Sequence, residues 1–239
     1  MQYLYGPVRS RRLGTSLGIS LTPYKTCDFD CVYCQLGRTT NLTIEKSEYI
    51  KVSQIIDELK VWLESNKETA QGLEYITLSG SGEPTLNAKF GELISEIKKI
   101  TPLKVALLTN ASLLCDPQVR GQVWQADLIV PSLDAVTQEL FVKVDRPHSS
   151  LNIEDIINGL VALRREFRGK IWLEIMLVKG VNDDIRHIRK LKEVIERINP
   201  DKIQLNSPVR TTADAGVLAV GKPKLRKIKE ILGEKVELF

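Results

Sequence analysis

Apolar residues along the chain follow two periods in turn. Between residues 16 and 22 they occupy every second position, which predicts a strand with one buried face. Between residues 50 and 63 they recur at intervals of three and four, which predicts an amphipathic helix. The predicted strands are 16–22, 73–79, 104–109, 127–132, 170–178 and 202–205, and the predicted helices are 50–63, 90–100, 117–124, 137–144, 153–167, 185–198 and 225–232.

Strand and helix alternate six times, which predicts parallel strands joined by right-handed crossovers. Either a partial (β/α)6 TIM-like barrel or a doubly wound open sheet fits an α/β chain of this order. Polar residues follow every strand, and this favours the barrel, because barrel active sites lie at the carboxyl ends of the strands. We expect one domain over residues 1–239, with an irregular extension over about 210–239. The strand-end groups are 27–34, 79–84, 109–110, Ser132 with Asp134, 179–182 and 206–207.

The fifth predicted strand carries a carboxylate on its less apolar face. Ile171, Leu173 and Ile175 form one apolar face, which places Glu174 on the other. If helices cover the apolar face, Glu174 points into the barrel, as would Asn206 on the sixth strand. An inward carboxylate is costly unless it is paired. Glu174 is therefore either part of a buried network or a substrate contact, and we treat it as a catalytic candidate.

Three of the four cysteines lie close together in the loop 25–37, KTCDFDCVYCQLG. Cys27, Cys31 and Cys34 have no fourth ligand nearby to complete a zinc site. A four-iron cluster held by three cysteines would keep one iron open for chemistry. The alternatives are a zinc knuckle with a distant ligand and three free thiols.

Composition adds few constraints. The chain has 43% hydrophobic residues and a net charge of +4, and no stretch resembles a membrane span or a secretory signal. We therefore expect a cytoplasmic protein without membrane contact. Cys115 stands alone, so the cysteines do not form a disulfide framework. Arg9, Arg11 and Arg12 are the one local basic run, which is weak evidence for an anionic partner.

Two motifs resemble the radical S-adenosylmethionine (radical SAM) superfamily. One is the C-x3-C-x2-C spacing with Tyr33 before the last cysteine, and the other is GSGEP at residues 80–84, similar to the family's GGEP motif. The resemblance implies a barrel of the radical SAM type, S-adenosylmethionine as cofactor, and a 4Fe-4S cluster on Cys27, Cys31 and Cys34. It also implies cofactor contacts from Tyr33, Ser79, Gly80, Gly82, Glu83, Pro84, Asn110, Ser132, Asp134 and Asn206.

Longer phrases, among them CDFDCVYCQLGRTT, PSLDA, DRPH and QLNSPVR, resemble the radical SAM group related to 4-demethylwyosine synthase, which modifies tRNA. That synthase carries a second cluster on further cysteines, whereas only Cys115 remains here, so we expect a single cluster. The resemblance implies a macromolecular substrate, tRNA or alternatively a protein or peptide, and a reductant such as ferredoxin or flavodoxin. A non-catalytic iron-sulfur or zinc module is the third possibility.

Basic residues near these motifs are candidates for substrate or carboxylate contacts. Arg146 and His148, in the DRPH loop, are the two that we list with Glu174 as catalytic candidates. Arginine binds carboxylates and phosphates through two parallel hydrogen bonds. The arginines that we expect near the mouth of the barrel are Arg9, Arg11, Arg12, Arg38, Arg146 and Arg210.

Overall fold

The structure is a computed structural model that describes residues 1–239. Its strands are β1 Leu4–Ser10, β2 Gly14–Ser20, β3 Thr26–Cys27, β4 Asn41–Leu42, β5 Tyr75–Ser79, β6 Lys104–Thr109, β7 Leu128–Pro131, β8 Lys170–Met176, β9 Lys202–Asn206 and β10 Val236–Leu238. Its helices are α1 Val52–Ser65, α2 Lys67–Gln71, α3 Phe90–Ile100, α4 Pro117–Gln122, α5 Gln138–Val144, α6 Ile153–Glu166, α7 Ile185–Ile198 and α8 Lys222–Leu232, with 3-10 turns at Pro84–Leu86 and Ser112–Cys115.

Eight strands form one sheet in the order β1-β2-β5-β6-β7-β8-β9-β10, and β3 pairs with β4 separately. The six strands from β2 to β9 in this sheet run parallel, whereas β1 is antiparallel to β2. The predicted six-fold alternation is therefore confirmed, and the fold is an α/β partial TIM-like barrel. Because β1 and β10 end the strand order and do not pair with each other, the barrel is open on one side.

Alternate strand residues face two different hydrophobic layers. Ile171, Leu173 and Ile175 are fully buried in the large core between strands and helices, as the period of two predicts. Inside the barrel, Leu13 packs in a smaller cluster that includes Leu128. Leu13 belongs to the β1–β2 turn, so the N-terminal hairpin helps to fill the barrel interior.

Four strands were not predicted from the sequence, namely the two-residue strands β3 and β4 and the sheet strands β1 and β10. In β1 the residues from Gly6 to Arg9 are exposed, and a register shift between Tyr5 and Val8 breaks the alternation of faces. The Tyr5 ring lies over Gly18 of β2, where a side chain would overlap it. The C-terminal extension was also predicted incompletely. Residues 210–221 are irregular, as expected, but β10 then adds a strand to the sheet edge.

No helix in the structure combines the length and apolar character needed to cross a membrane.

Candidate radical SAM site

The cysteine loop, residues 25–37, contains Cys27 at the end of β3 and is fastened to the end of α5 and the residue that follows it. The Asp30 N–H donates to the Asp145 carbonyl at 3.0 Å, and the Val32 N–H donates to the Val144 carbonyl at 2.9 Å. The thiols of Cys27, Cys31 and Cys34 are free and half-buried, whereas Cys115 is exposed on the Ser112–Cys115 turn. The three predicted ligands thus share one fixed loop.

The irregular C-terminal segment is tied to the same loop through Asp214. Its N–H donates to the Val32 carbonyl at 3.0 Å, and its carboxylate accepts from both terminal nitrogens of Arg146. Arg38 lies 3.3 Å from the same carboxylate and 2.6 Å from that of Asp30. Arg38 and Arg146 are therefore engaged in ion pairs that brace the loop.

N–H groups point at the sulfurs of the loop. The Phe29 backbone N–H lies 3.5 Å from Cys27 Sγ, and Asn110 Nδ2 lies 3.8 Å from the same atom. Lys25 Nζ lies 3.1 Å from Cys34 Sγ. Such donors favour sulfur that carries negative charge, as thiolate ligands do.

Buried carboxylates surround the cysteines. Burial raises the pKa of Cys27, and the neighbouring Asp28 raises it further. Burial also raises the pKa of Cys31, whose thiol donates to Asp145 at 3.5 Å. Without a positive ion, these two thiols therefore keep their protons, and bound iron would supply the compensating charge.

The GSGEP turn follows β5 and packs directly against the cysteine loop. Gly80 has a φ of +105°, and a Cβ at Gly82 would overlap the carbonyl oxygen of Thr26. The Lys25 N–H donates to the Ser81 carbonyl at 2.6 Å, and the Glu83 N–H donates to the Thr26 carbonyl at 3.1 Å. Glycine is thus needed here, because only a chain without side chains can approach the loop so closely.

The Glu83 side chain is buried and accepts hydrogen bonds at the carboxyl end of β6. Its Oε1 accepts from the Thr85 N–H at 3.0 Å and from the Thr85 and Thr109 hydroxyls at 2.6 Å each, and its Oε2 accepts from the Asn110 N–H at 2.8 Å. Burial, followed by the charge of Asp28, raises the pKa of Glu83 to about 7. Glu83 therefore connects the ends of β5 and β6.

Asp134 and Asp145 are two further buried carboxylates, and both lie next to the Tyr33 hydroxyl. The Tyr33 hydroxyl donates to the Asp134 carboxylate and lies 3.4 Å from that of Asp145. The other Asp134 oxygen accepts from the Met176 N–H at 2.7 Å. Burial raises the pKa of Asp134 to about 7 and also raises that of Asp145. In this arrangement the Asp134 carboxylate positions Tyr33 and β8.

A cavity of about 540 Å³, here called the lumen cavity, opens at the carboxyl ends of the strands. It brings together six of the predicted site residues, two from the cysteine loop and four from different strands of the sheet edge. A smaller pocket of about 20 Å³ behind it is lined by Tyr33, Asn110, Ser132 and Asp134 among others. The predicted residues that line the lumen cavity are Tyr33, Cys34, Gly80, Ser132, Glu174 and Asn206.

Other predicted residues lie outside that lining. The Ser79 hydroxyl is paired with the Tyr5 hydroxyl, and Pro84 is buried in the turn that Glu83 caps. His148 is hydrogen-bonded to Ser150 Oγ at 2.9 Å, on the loop behind the cysteines. The predicted residues absent from the lining of the lumen cavity are Cys27, Cys31, Ser79, Gly82, Glu83, Pro84, Asn110, Asp134, Arg146 and His148.

Glu174 does face the barrel interior, as predicted. It forms an ion pair with Arg12 of the N-terminal hairpin and accepts from Asn206 Nδ2 at 2.9 Å. These two partners lie on opposite sides of the barrel opening. Glu174 is therefore part of a paired polar network, and Arg12 is its long-range partner.

The lining of the lumen cavity is basic. Arg9, Arg11, Arg12 and Arg210 all line it, and Glu174 is the only acidic residue that does. An adjoining cavity of about 310 Å³, here called the side cavity, shares Arg11, Val209 and Phe239 with it and has no acidic lining residue. The side cavity adds Lys222 and Arg226. Of the six arginines expected at the mouth of the barrel, four line the lumen cavity and two brace the cysteine loop.

The profile of the family described as "Radical SAM superfamily" matches residues 21–191, which contain the cysteine loop, the GSGEP turn and the carboxyl ends of four of the six parallel strands. The chain belongs to the radical SAM superfamily. Members are enzymes of radical chemistry, and their cofactors are a 4Fe-4S cluster and S-adenosylmethionine.

Two relatives are similar over nearly the whole chain. A UPF0026 protein of Methanocaldococcus jannaschii is 33% identical over 97% of this chain and 70% of its own length. A protein of Brachyspira hyodysenteriae named "GTPase Obg" is 40% identical over 95% of this chain. This chain spans only 33% of that Brachyspira protein, whose named activity belongs to the longer chain.

Solved structures share the radical SAM fold at low identity. A radical SAM methyltransferase from Sphaerobacter thermophilus has a TM-score of 0.71 at 16% identity, over 99% of this chain and 68% of that chain. Archaeal TYW1 has a TM-score of 0.62 at 19% identity, over 92% of this chain and 72% of that chain. At these identities the likeness shows the fold alone.

The residues present fit the cofactors of the family. No three His, Cys, Asp or Glu side chains are grouped to hold a single metal ion, whereas the thiolates of an iron-sulfur cluster bind different irons. N–H donors at Cys27 and Cys34 suit thiolate ligands, and glycine at positions 80 and 82 lets the turn pack closely against Ser20 and Thr26.

Several functional contacts were missed in the sequence. Lys25 is buried beside Cys34, and Asp28 and Asp145 are buried beside Cys27 and Cys31. A lysine or aspartate in a cysteine-rich loop carries no periodic signal that separates a buried side chain from a solvated one. The contact of Asp145 with Cys31 also joins residues 114 positions apart, which no local pattern encodes.

Proposed function

We propose that this protein is a radical SAM enzyme that modifies RNA, and specifically tRNA, as a relative of the 4-demethylwyosine synthase group. In this proposal Cys27, Cys31 and Cys34 bind one 4Fe-4S cluster, and one iron stays open to the amino acid part of S-adenosylmethionine. The bound cofactors supply reductive cleavage to methionine and a 5'-deoxyadenosyl radical that abstracts hydrogen.

The protein groups have separate tasks in this proposal. The GSGEP turn offers backbone carbonyls to the cofactor ammonium, and Glu83 holds that turn against β6 through its four accepted hydrogen bonds. Ser132 and Asn206 face the lumen cavity, where cofactor hydroxyls and adenine are expected. Tyr33, fixed by Asp134, closes the side of the cavity next to Cys34. Asn110, Ser79 and Pro84 shape the strand ends behind them.

The basic lining of the lumen and side cavities is the observation that carries the assignment to RNA. Exposed Arg9, Arg11 and Arg210 lie beside one acid, Glu174, which Arg12 already neutralises. Lys222 and Arg226 extend the positive surface into the side cavity. A run of cations along two adjoining cavities suits a chain of phosphates better than a single anion. The opening between β1 and β10 leaves room for a substrate that remains largely outside the barrel.

Two measurements test the proposal. Anaerobically reconstituted protein should hold about four irons, and with dithionite it should convert S-adenosylmethionine to 5'-deoxyadenosine. The Cys34→Ala variant should lose this conversion. Absence of both cluster and cleavage in the wild-type protein would contradict the proposal and favour a non-catalytic module.

RNA binding is measured separately, with an unmodified tRNA transcript between 50 and 200 mM salt. The double variant Arg9→Met/Arg11→Met should bind more weakly and lower the salt slope by about 2, since each lost phosphate contact removes about 0.9. Arg38→Met is the matched control, because Arg38 is also exposed but lies in the ion pairs with Asp30 and Asp214. Equal salt slopes for the wild type, the double variant and Arg38→Met would argue against RNA binding by Arg9 and Arg11.

A protein or peptide substrate is the second candidate. Val209 is 71% exposed at the junction of the lumen and side cavities, and Phe239 lines both. Apolar side chains at an opening suit a peptide segment. Capture of a defined protein partner, together with tRNA binding that does not respond to the arginine variants, would favour this candidate. A single domain over 1–239, a cytoplasmic location and a ferredoxin or flavodoxin reductant stay predictions.

A further inference from the structure

Lys25 occupies an unusual position two residues before Cys27. Its exposed fraction is 3%, although lysine side chains are almost never buried without a partner. Its φ is +57°, a left-handed backbone conformation that is uncommon for any residue other than glycine. Both features are costly, so the surrounding structure must hold this residue in place.

Backbone contacts on two sides fix Lys25. Its N–H donates to the Ser81 carbonyl of the GSGEP turn at 2.6 Å. Its carbonyl accepts from the N–H groups of Thr40 at 3.3 Å and Asn41 at 3.1 Å, where the chain leaves the cysteine loop. The start of the loop, its end and the GSGEP turn therefore all meet at Lys25.

The side chain of Lys25 is directed at a single group. Its Nζ lies 3.1 Å from Cys34 Sγ, and no carboxylate lies within 4.0 Å to form a salt bridge with it. By contrast, the partly exposed Lys46 and Lys224 each pair with an aspartate. A buried ammonium is unfavourable unless a negative group faces it. The sulfur of Cys34 is the group that lies in that position.

We propose that the Lys25 ammonium is the buried counter-charge of the cluster thiolate at Cys34, and that it makes the cluster easier to reduce. The inference rests on the proposed function, in which Cys34 binds iron. Net charge and hydrogen bonds to the sulfurs set the reduction potential of such clusters. Reduction adds one negative charge to the cluster, and a fixed cation at 3.1 Å from a ligand sulfur stabilises that state more than the oxidised one.

The test compares Lys25→Met, which keeps the apolar stem and removes the charge, with Lys25→Arg, which keeps the charge. Lys46→Met is the control, since Lys46 is a partly exposed lysine paired with Asp116. Each protein is reconstituted anaerobically with iron and sulfide, without S-adenosylmethionine or RNA. Iron content and an EPR-monitored redox titration are the readouts, and circular dichroism of the metal-free proteins reports the fold.

Lys25→Met should hold the cluster but show at least a tenfold lower ratio of reduced to oxidised cluster at a fixed potential, which is a midpoint lower by about 59 mV for one electron. Lys25→Arg and Lys46→Met should stay near the wild-type midpoint. If Lys25→Met folds but takes up no iron while Lys25→Arg does, the result supports the charge of Lys25 as the counter-charge of the Cys34 thiolate.

An unchanged reduction midpoint potential in Lys25→Met overturns the inference. Loss of iron from both Lys25 variants with the fold retained also overturns it, because that result would assign Lys25 a steric role. These readouts need neither cofactor cleavage nor tRNA. A wild-type protein that holds a cluster but fails to form 5'-deoxyadenosine or to bind tRNA would therefore contradict the proposed function alone. A wild-type protein without a cluster would contradict both.

Discussion

Replacing Glu83 with glutamine should remove part of the pH dependence of stability from the metal-free protein. Burial and the charge of Asp28 raise the pKa of Glu83 from 4.5 to about 7 in the folded protein. The folded state therefore binds a proton that the unfolded state releases between these two pH values. Stability from this site is fully present below pH 4.5 and is lost as the pH rises to about 7.

The size of the effect follows from this interval. Each pH unit corresponds to about 1.4 kcal/mol for one full proton, and the proton difference is smaller close to either pKa, so between pH 5 and pH 7 Glu83 should lower the free energy of unfolding by about 2 kcal/mol. Glu83→Gln cannot ionise and should lack this loss. It also turns an amide NH2 toward the Asn110 N–H, which should lower stability by about 1–3 kcal/mol at every pH.

Urea unfolding of metal-free protein at pH 5, 6 and 7, followed by circular dichroism, measures the difference. Asp134, with a pKa raised from 3.8 to about 7, should leave a remaining pH dependence in the variant. Glu92→Gln is the control, since Glu92 lies on the exposed side of α3 in a lysine ion pair, and it should behave like the wild type. Identical pH dependence in wild type and Glu83→Gln would refute the assignment of a raised pKa to Glu83.

Two further substitutions test the loop and the turn. Gly82→Ala should lower the free energy of unfolding by about 1–3 kcal/mol, because the new Cβ pushes the turn away from Thr26 and weakens the hydrogen bonds Lys25 N–H to Ser81 and Glu83 N–H to Thr26. Gly216→Ala is the control, since Gly216 faces open space, and it should leave the free energy of unfolding unchanged. Cys34→Ser should lose iron on reconstitution while Cys115→Ser keeps it, and equal iron in both variants would remove Cys34 from the ligand set.

Periodic segments were predicted well, since burial on one face imposes a repeat on the sequence. Phe90–Ile100, Ile185–Ile198 and Lys104–Thr109 have the predicted bounds. The hairpin strand Leu4–Ser10 was missed because its residues are mostly exposed and it has a register shift. The edge strand Val236–Leu238 has one buried residue, too few to produce a pattern.

Predictions about the site were limited by long-range contacts. Strand-end residues such as Ser132 and Asn206 could be placed at one edge, because parallel strands share their direction. The partner of Glu174 could not be found, since Arg12 lies 162 positions away in a hairpin without a strand signal. Arg146 was expected near the substrate, but Asp214 engages both of its terminal nitrogens.

The tie between Asp214 and the cysteine loop has a consequence for biosynthesis. Val32, Arg38 and Arg146 all contact Asp214, which is made long after the three cysteines during translation. The nascent chain on the ribosome therefore lacks the group that braces its metal-binding loop. We expect iron and sulfide delivery to follow synthesis of the segment that contains Asp214, so that the cluster is inserted into a braced loop rather than into an emerging one.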